Sequence, residues 1–382
     1  MNSILVDLFY GIKKASLLKN IIVTVTNDLV TDQRVHKVCT SLNKAGYNVT
    51  LIGRFLKNSS SINRDYRTKR MRLFFNVGFL FYAEFNLRLF FKVLFLKKDI
   101  LVANDLDTLL PCYLISVLFR KKIVYDSHEL FTEVPELVNR PKTQKIWLAL
   151  ENKIVPKLAN CITVCDSISA YYKAQYDTSF HVIKNVPENI VPKPSKLPFE
   201  IKNKKIILYQ GALNAGRGLE LIIETMLYLQ EYLLVIIGSG DLEKVLEEKV
   251  RQHSLESKVL FMGKIAPNKL KGITPYADLG ISLEEDLGLN YRYALPNKIF
   301  DYIHGKVPCL VSDLPEMKNL VLSNNFGTVI ESRKPKRMAK QITAIFNDSK
   351  RYNIWLENLN KPNTFNWDVE HKKIISLFKN LT

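Results

Sequence analysis

At 382 residues, with 47% apolar and 24% charged residues, the chain is long enough for two domains of ordinary size and too apolar for wholesale disorder. The formal charge of +18 is uneven: residues 1–200 hold 29 Lys and Arg against 17 Asp and Glu, so an acidic partner meets the first half preferentially. The basic residues are dispersed, without zinc-finger, RNP-type or basic-helix patterns, which argues against nucleic acid, and five cysteines without a CxxC pair read as buried reduced thiols of a cytoplasmic protein.

In chain order, residues 1–20 place apolar positions 4, 5, 8, 9 and 12 opposite Lys13 and Lys14, a weak amphipathic-helix signal of the kind that rests on lipid. Short β-branched runs follow at 21–26, 48–53, 99–104, 122–126 and 161–165, each trailed by a helical pattern. The most apolar stretch, 73–96, is broken by Glu84, Arg88 and Lys92, so it predicts a buried or membrane-surface helix and not a span. Proline density in VPENIVPKPSKLPFE (186–200) ends the alternation and predicts a linker over 189–203. A second series begins at 205–211 and continues at 233–238, 258–263, 279–283 and 307–312. The tail 363–382 carries helical periodicity and Trp367, and either finishes the second domain or crosses back to the first. The pattern predicts an α/β chain of two doubly wound, Rossmann-like domains, 1–188 and 204–362, facing each other across a cleft.

In such sheets ligands sit beyond the carboxyl ends of the strands. There, YQGALNAGRGLELIIE (209–224) surrounds Arg217 with Gly211, Gly216 and Gly218, a layout that suits an anion or a plain structural turn. IIGSGD (236–241), with Gly238 and Gly240, repeats it. Lys298 and Asp301, three apart in ALPNKIFDYIHGKVP, share one helix face as a surface ion pair or as a ligand clamp: cations on a diphosphate, a carboxylate on a ribose diol.

Residues 27–54, 102–114, 124–137, 209–222, 235–246 and 294–316 together resemble the retaining family-4 glycosyltransferases of the GT-B fold, also described as glycosyl transferases group 1. Most specific is the family's P-x-K-x-x-[ED]-Y element, matched by Pro296, Lys298, Asp301 and Tyr302. The resemblance implies that Arg217 and Lys298 hold the donor diphosphate, that Asp301 binds ribose, and that His128, in DSHE, is the catalytic histidine at the sugar-facing edge. It places Asp32 and Arg34 near acceptor and donor phosphates, an N-cap role for Asp32 being the alternative. Glu285, in EED, is a candidate sugar contact or a solvated loop acid. NDLD (104–107) imitates a metal-binding Asp-x-Asp, but the resemblance implies no metal, leaving Asp105 and Asp107 as helix-start or acceptor-side residues. Three positions depart from the family: Ala212 where arginine is common, Tyr293 where an acid is widespread, and Lys306 where glycine is usual.

The implied activity is transfer of a hexose-type sugar from a nucleotide diphosphate donor (UDP-, GDP- or similar) to a glycan or lipid-linked glycan, with no further cofactor and with peripheral contact to anionic membrane. A nucleotide-sugar epimerase of the same fold and a non-catalytic sugar-nucleotide or polyanion-binding subunit are the alternatives.

Overall fold

A computed structural model describes residues 19–30, 32–189 and 204–381. The amphipathic pattern of residues 1–18, Thr31 and most of the Pro-rich linker, 190–203, lie outside the described residues. Two all-parallel sheets carry the fold. In the first, β1 (Asn20–Asp28), β2 (Asn48–Arg54), β3 (Arg67–Met71), β4 (Ile100–Asn104), β5 (Lys122–Ser127), β6 (Cys161–Thr163) and β7 (Phe180–Val182) are ordered 3-2-1-4-5-6-7. In the second, β8 (Lys205–Gln210), β9 (Tyr232–Ile237), β10 (Val259–Phe261), β11 (Leu279–Ser282), β12 (Cys309–Val311) and β13 (Gly327–Val329) are ordered 10-9-8-11-12-13.

Central strands such as ILVAN and LGIS are buried throughout, as expected where helices cover both faces of a parallel sheet. Strand order reverses between β1 and β4 and again between β8 and β11, and the loops leaving these strands diverge there to open a crevice. Helix Asn297–His304 is fastened at the second of these points. The Tyr302 hydroxyl lies 3.0 Å from both the Leu208 and Ile281 carbonyl oxygens, and its ring occupies the space a Cβ on Gly280 would need. Five buried cysteines are all free.

The last helix, Trp367–Asn380, packs on helix Gln33–Lys44 of the first domain. Trp367 donates its backbone N–H to Pro187 and its indole N–H to Ser41, and Phe378 meets Tyr47 edge-on. Among the described residues no helix is long and apolar enough to cross a membrane.

Candidate active site

Between the carboxyl edges of the two sheets lies a cleft of about 660 Å³. On its second-domain side, β8 ends at Gly211, whose φ of +143° and whose missing side chain admit the Lys298 Cε, 3.3 Å from where a Cβ would stand. The loop then carries Arg217 into the cleft and turns into helix Leu219–Thr225 at Gly218, where φ is +70° and the Leu283 carbonyl leaves no room for a side chain.

Lys298 and Arg217 converge on one acid, Glu284, which is fully buried just beyond β11. Lys298 Nζ donates to Glu284 Oε1 at 2.8 Å, while Arg217 Nη1 stands 3.7 Å from the same oxygen. Burial alone would raise the Glu284 pKa, but Lys298, Ser282 and Arg217 outweigh it and hold the carboxyl below its ordinary value. Burial lowers the Lys298 pKa despite the attraction of Glu284. Aromatic faces steady both cations: Lys298 is 4.1 Å from the Tyr209 ring centre and Arg217 is 5.4 Å from that of Tyr291. Arg217 Nε is buried without a hydrogen-bond partner, a donor left over for a ligand.

Lys298 and Asp301 line the cleft together but do not pair with each other. Asp301 accepts from Gln210 Nε2 at 2.9 Å, and Thr274 in turn donates to Gln210 Oε1. Burial pushes the Asp301 carboxyl up to about 6, against the Gln210 hydrogen bond and the charges of Lys271 and Lys37.

Gly238 and Gly240 do not line this cleft. A Cβ on Gly238 would fall 1.8 Å from the Gly211 carbonyl oxygen, and one on Gly240 would fall 2.4 to 2.6 Å from Asn214 and Leu213. This turn is therefore a buttress against which the Gly211 loop rests. Sequence pattern cannot separate a phosphate cradle from a close backbone approach, because both require the missing side chain.

Across the cleft, β5 delivers His128, with Nδ1 3.2 Å from Asp105 Oδ2 and Nε2 3.4 Å from Asp126 Oδ2. Burial opposes its charge, yet the two carboxylates prevail and hold the imidazole well above its ordinary pKa. His128 lines the cleft, with its Nε2 buried against Asp126 and without a well-directed hydrogen bond there. Asp105 adopts φ +58°, ψ +167°, a region other residues rarely enter, and its other oxygen accepts the His128 backbone N–H at 2.8 Å.

These contacts place the remaining candidate residues. Asp105 sits at the N-cap position of helix Leu106–Phe119 but makes no capping bond; it positions His128. Asp107 is buried, accepts from Thr26 Oγ1 at 2.5 Å, and is driven by burial and by Asp105 to a pKa of about 8, so NDLD does not present two free carboxylates. Arg34 reaches the cleft wall yet is 4% exposed, bonded to Asp126 Oδ1 and to the Ile183 carbonyl at 2.9 Å each, and serves to hold Asp126 beneath His128. Asp32 caps helix Gln33–Lys44 by accepting from Val35 N at 3.0 Å, and also lines the cleft. Glu285 is not in the cleft wall; it stands 3.9 Å from Arg333.

The acid that matters in EED is its neighbour Glu284, one residue nearer the strand end. Asp126, Gln210 and Asn290 also escape the sequence pattern. Asn290 bridges the cleft, accepting from Leu130 N and donating to Glu129. Ala212 lines the wall and accepts from the Tyr209 hydroxyl. Tyr293 packs partly buried against the first-domain core. Lys306 occupies the left-handed position after helix Asn297–His304, φ +61°, and spends its amine on the Leu359 carbonyl.

A family model for glycosyl transferases group 1 matches residues 195–361, the part that carries Gly211, Arg217, Glu284, Lys298 and Asp301. An uncharacterized glycosyltransferase of Methanocaldococcus jannaschii is 24% identical over 46% of this chain and 45% of its own. The chitobiosyldiphosphodolichol beta-mannosyltransferase of Candida albicans is 23% identical over 71% of this chain and 66% of its own. The chain thus spans about half to two thirds of the length of these relatives. Over the whole fold, sucrose-phosphate synthase from Thermosynechococcus elongatus superposes with a TM-score of 0.79 at 15% identity, covering 95% of this chain and 99% of that one. Anabaena HepE, solved in complex with UDP and glucose, gives 0.70 at 14% identity, covering 94% and 99%. The fold is GT-B, and the family match supports a glycosyltransferase.

Proposed function

We propose that the protein is a retaining hexosyltransferase that moves a sugar from a nucleotide diphosphate donor to an acceptor hydroxyl. One observation carries the reading. A single cleft sets two cations, Arg217 and Lys298, and a carboxylate, Asp301, on one wall, and an imidazole, His128, on the other. Two cations beside a carboxylate match a diphosphate joined to a ribose diol, and HepE, which shares the fold, binds UDP and glucose.

The glycosyl carbon–oxygen bond to phosphate breaks with its electron pair leaving on the diphosphate, where Arg217 and Lys298 stabilise the developing charge. The acceptor oxygen bonds the same face of the sugar carbon, and its proton passes to a diphosphate oxygen. His128, on the opposite wall, faces the sugar and orients it for the substitution. The Candida albicans relative, by name a mannosyltransferase acting on chitobiosyldiphosphodolichol, supports a lipid-linked acceptor.

A second reading, a binding subunit without turnover, draws on Glu284, which already engages both cations. The test is a thermal-shift panel of UDP-, GDP-, ADP- and TDP-sugars on wild type, Arg217→Ala and Asp301→Ala, followed by transfer assays with anomeric NMR. Stabilisation by one donor, lost in both variants, and product of unchanged anomeric configuration are expected. Absence of stabilisation in a folded sample overturns the reading, and donor binding without transfer selects the subunit.

A further inference from the structure

The first domain exposes apolar side chains that its own core does not use. The loop before helix Gly78–Leu94 holds Phe74 and Val77, each 83% exposed, and Phe79 at its first turn is 68% exposed. Along the helix, Leu87, Phe91 and Phe95 recur every four residues on one outer stripe. The adjoining helix Leu106–Phe119, joined to it by Asn86 Nδ2 donating to the Asp107 carbonyl, adds exposed Leu114, Val117 and Leu118. Scattered exposed leucines need no explanation, but a continuous face of aromatic and aliphatic groups on two neighbouring helices does.

Charge identifies the occupant. Residues 67–122 hold eleven Lys and Arg against four Asp and Glu. All four acids are engaged within the domain. Glu84 accepts the Phe74 and Phe75 N–H groups and pairs with Arg88, thereby holding the phenylalanine loop outward. Asp99 binds Asn20 and lies near Lys121, Asp105 holds His128, and Asp107 holds Thr26. Arg67, Lys69, Arg72, Lys97, Arg120 and Lys122 remain exposed on the segments around the apolar stripes. Two copies meeting through this face would set like charges against each other, whereas anionic headgroups would neutralise them while the rings enter the acyl boundary.

We propose that residues 73–95 and the outer side of helix Leu106–Phe119 form a docking face for an anionic lipid bilayer surface. The same helix begins at Asp105, the residue that positions His128, so docking here would place the cleft of the first domain beside the bilayer. The proposal stands independently of the transferase reading, since binding is measured without donor or acceptor.

The test is co-sedimentation of the full chain with vesicles of phosphatidylcholine alone and of phosphatidylcholine with phosphatidylglycerol, over a salt series. Two variants accompany wild type: Phe79→Ser/Phe91→Ser/Phe95→Ser, and Lys97→Glu/Lys122→Glu. All five positions are already exposed, and circular dichroism checks that both variants fold. Expected is salt-sensitive binding to the anionic vesicles, weakened roughly fivefold or more per reversed lysine and lost in the phenylalanine variant. If wild type binds neither vesicle, or the phenylalanine variant binds like wild type, the proposal fails. It also fails if sedimentation velocity finds a dimer that the phenylalanine variant abolishes, which would assign the face to a second copy.

Discussion

Replacing Lys298 with methionine keeps the apolar stem of the side chain, one atom shorter, and removes its charge, leaving Glu284 fully buried with Arg217, 3.7 Å away, as its remaining cationic side-chain partner. Breaking a buried pair from one side costs about 3–5 kcal/mol; the residual Arg217 contact puts the expected loss near the lower end, about 3 kcal/mol. Removing both charges in Lys298→Met/Glu284→Gln keeps an oxygen to accept from Ser282 and leaves no orphaned ion, so the double variant should lose only about 1 kcal/mol. The pH dependence follows from sign. In the wild type the Glu284 pKa is depressed, so its contribution is present above the ordinary carboxylate range and is lost as pH falls through its folded value. Without Lys298, burial dominates and the pKa rises, so the penalty is full at pH 7 and shrinks toward pH 5. Urea unfolding at both pH values, followed by circular dichroism, measures all of this. A single-variant loss below about 1 kcal/mol, or two substitutions whose costs simply add, would refute a shared buried charge.

Asp301→Asn should stabilise the free protein at pH 7 by about 1–2 kcal/mol, because a carboxyl raised to about 6 by burial is penalised when ionised; the gain should vanish below pH 4, where both states are protonated. The same variant should lose donor stabilisation in a thermal-shift assay. Asp105→Asn should move the His128 titration, followed by imidazole proton NMR, down toward the ordinary histidine range while the fold persists. Gly238→Ala should cost more than about 3 kcal/mol or prevent soluble expression, since the new methyl meets the Gly211 backbone oxygen, which has no rotamer to escape into. Glu285→Ala should change donor affinity less than about twofold, whereas Glu284→Ala should reduce it at least tenfold in the same titration.

Ten strands are legible in the sequence because they are apolar, nine of them interior and the tenth, VLF, an edge strand that keeps an apolar run. The other three, RTKRM, FHV and GTV, are the outermost strands of their sheets: both edges of the first and one edge of the second. An edge strand has one neighbour and a partly wet surface, so it needs no run of β-branched residues. In the site, Arg217, Lys298, Asp301 and His128 are visible because each stands at a turn or helix start that a strand precedes. The ion pairs around them are not. Glu284 meets Lys298 across fourteen residues, and Arg34 meets Asp126 across ninety-two, distances at which periodicity carries no information. NDLD shows the same limit from the other side: two acids in a familiar spacing are sent to different partners by the backbone turn at Asp105.

The return of the last helix to the first domain means that the chain passes between the two halves twice, once after β7 and once before Trp367. The passages lie side by side, since Trp367 N–H is bonded to the Pro187 carbonyl and Glu370 accepts from Lys184 N. Two adjacent connections act like the knuckles of a door: they leave swinging about one line much easier than sliding or twisting. The opposite rim, where Asn290 reaches Glu129 and Leu130, is the contact that such a swing would have to part.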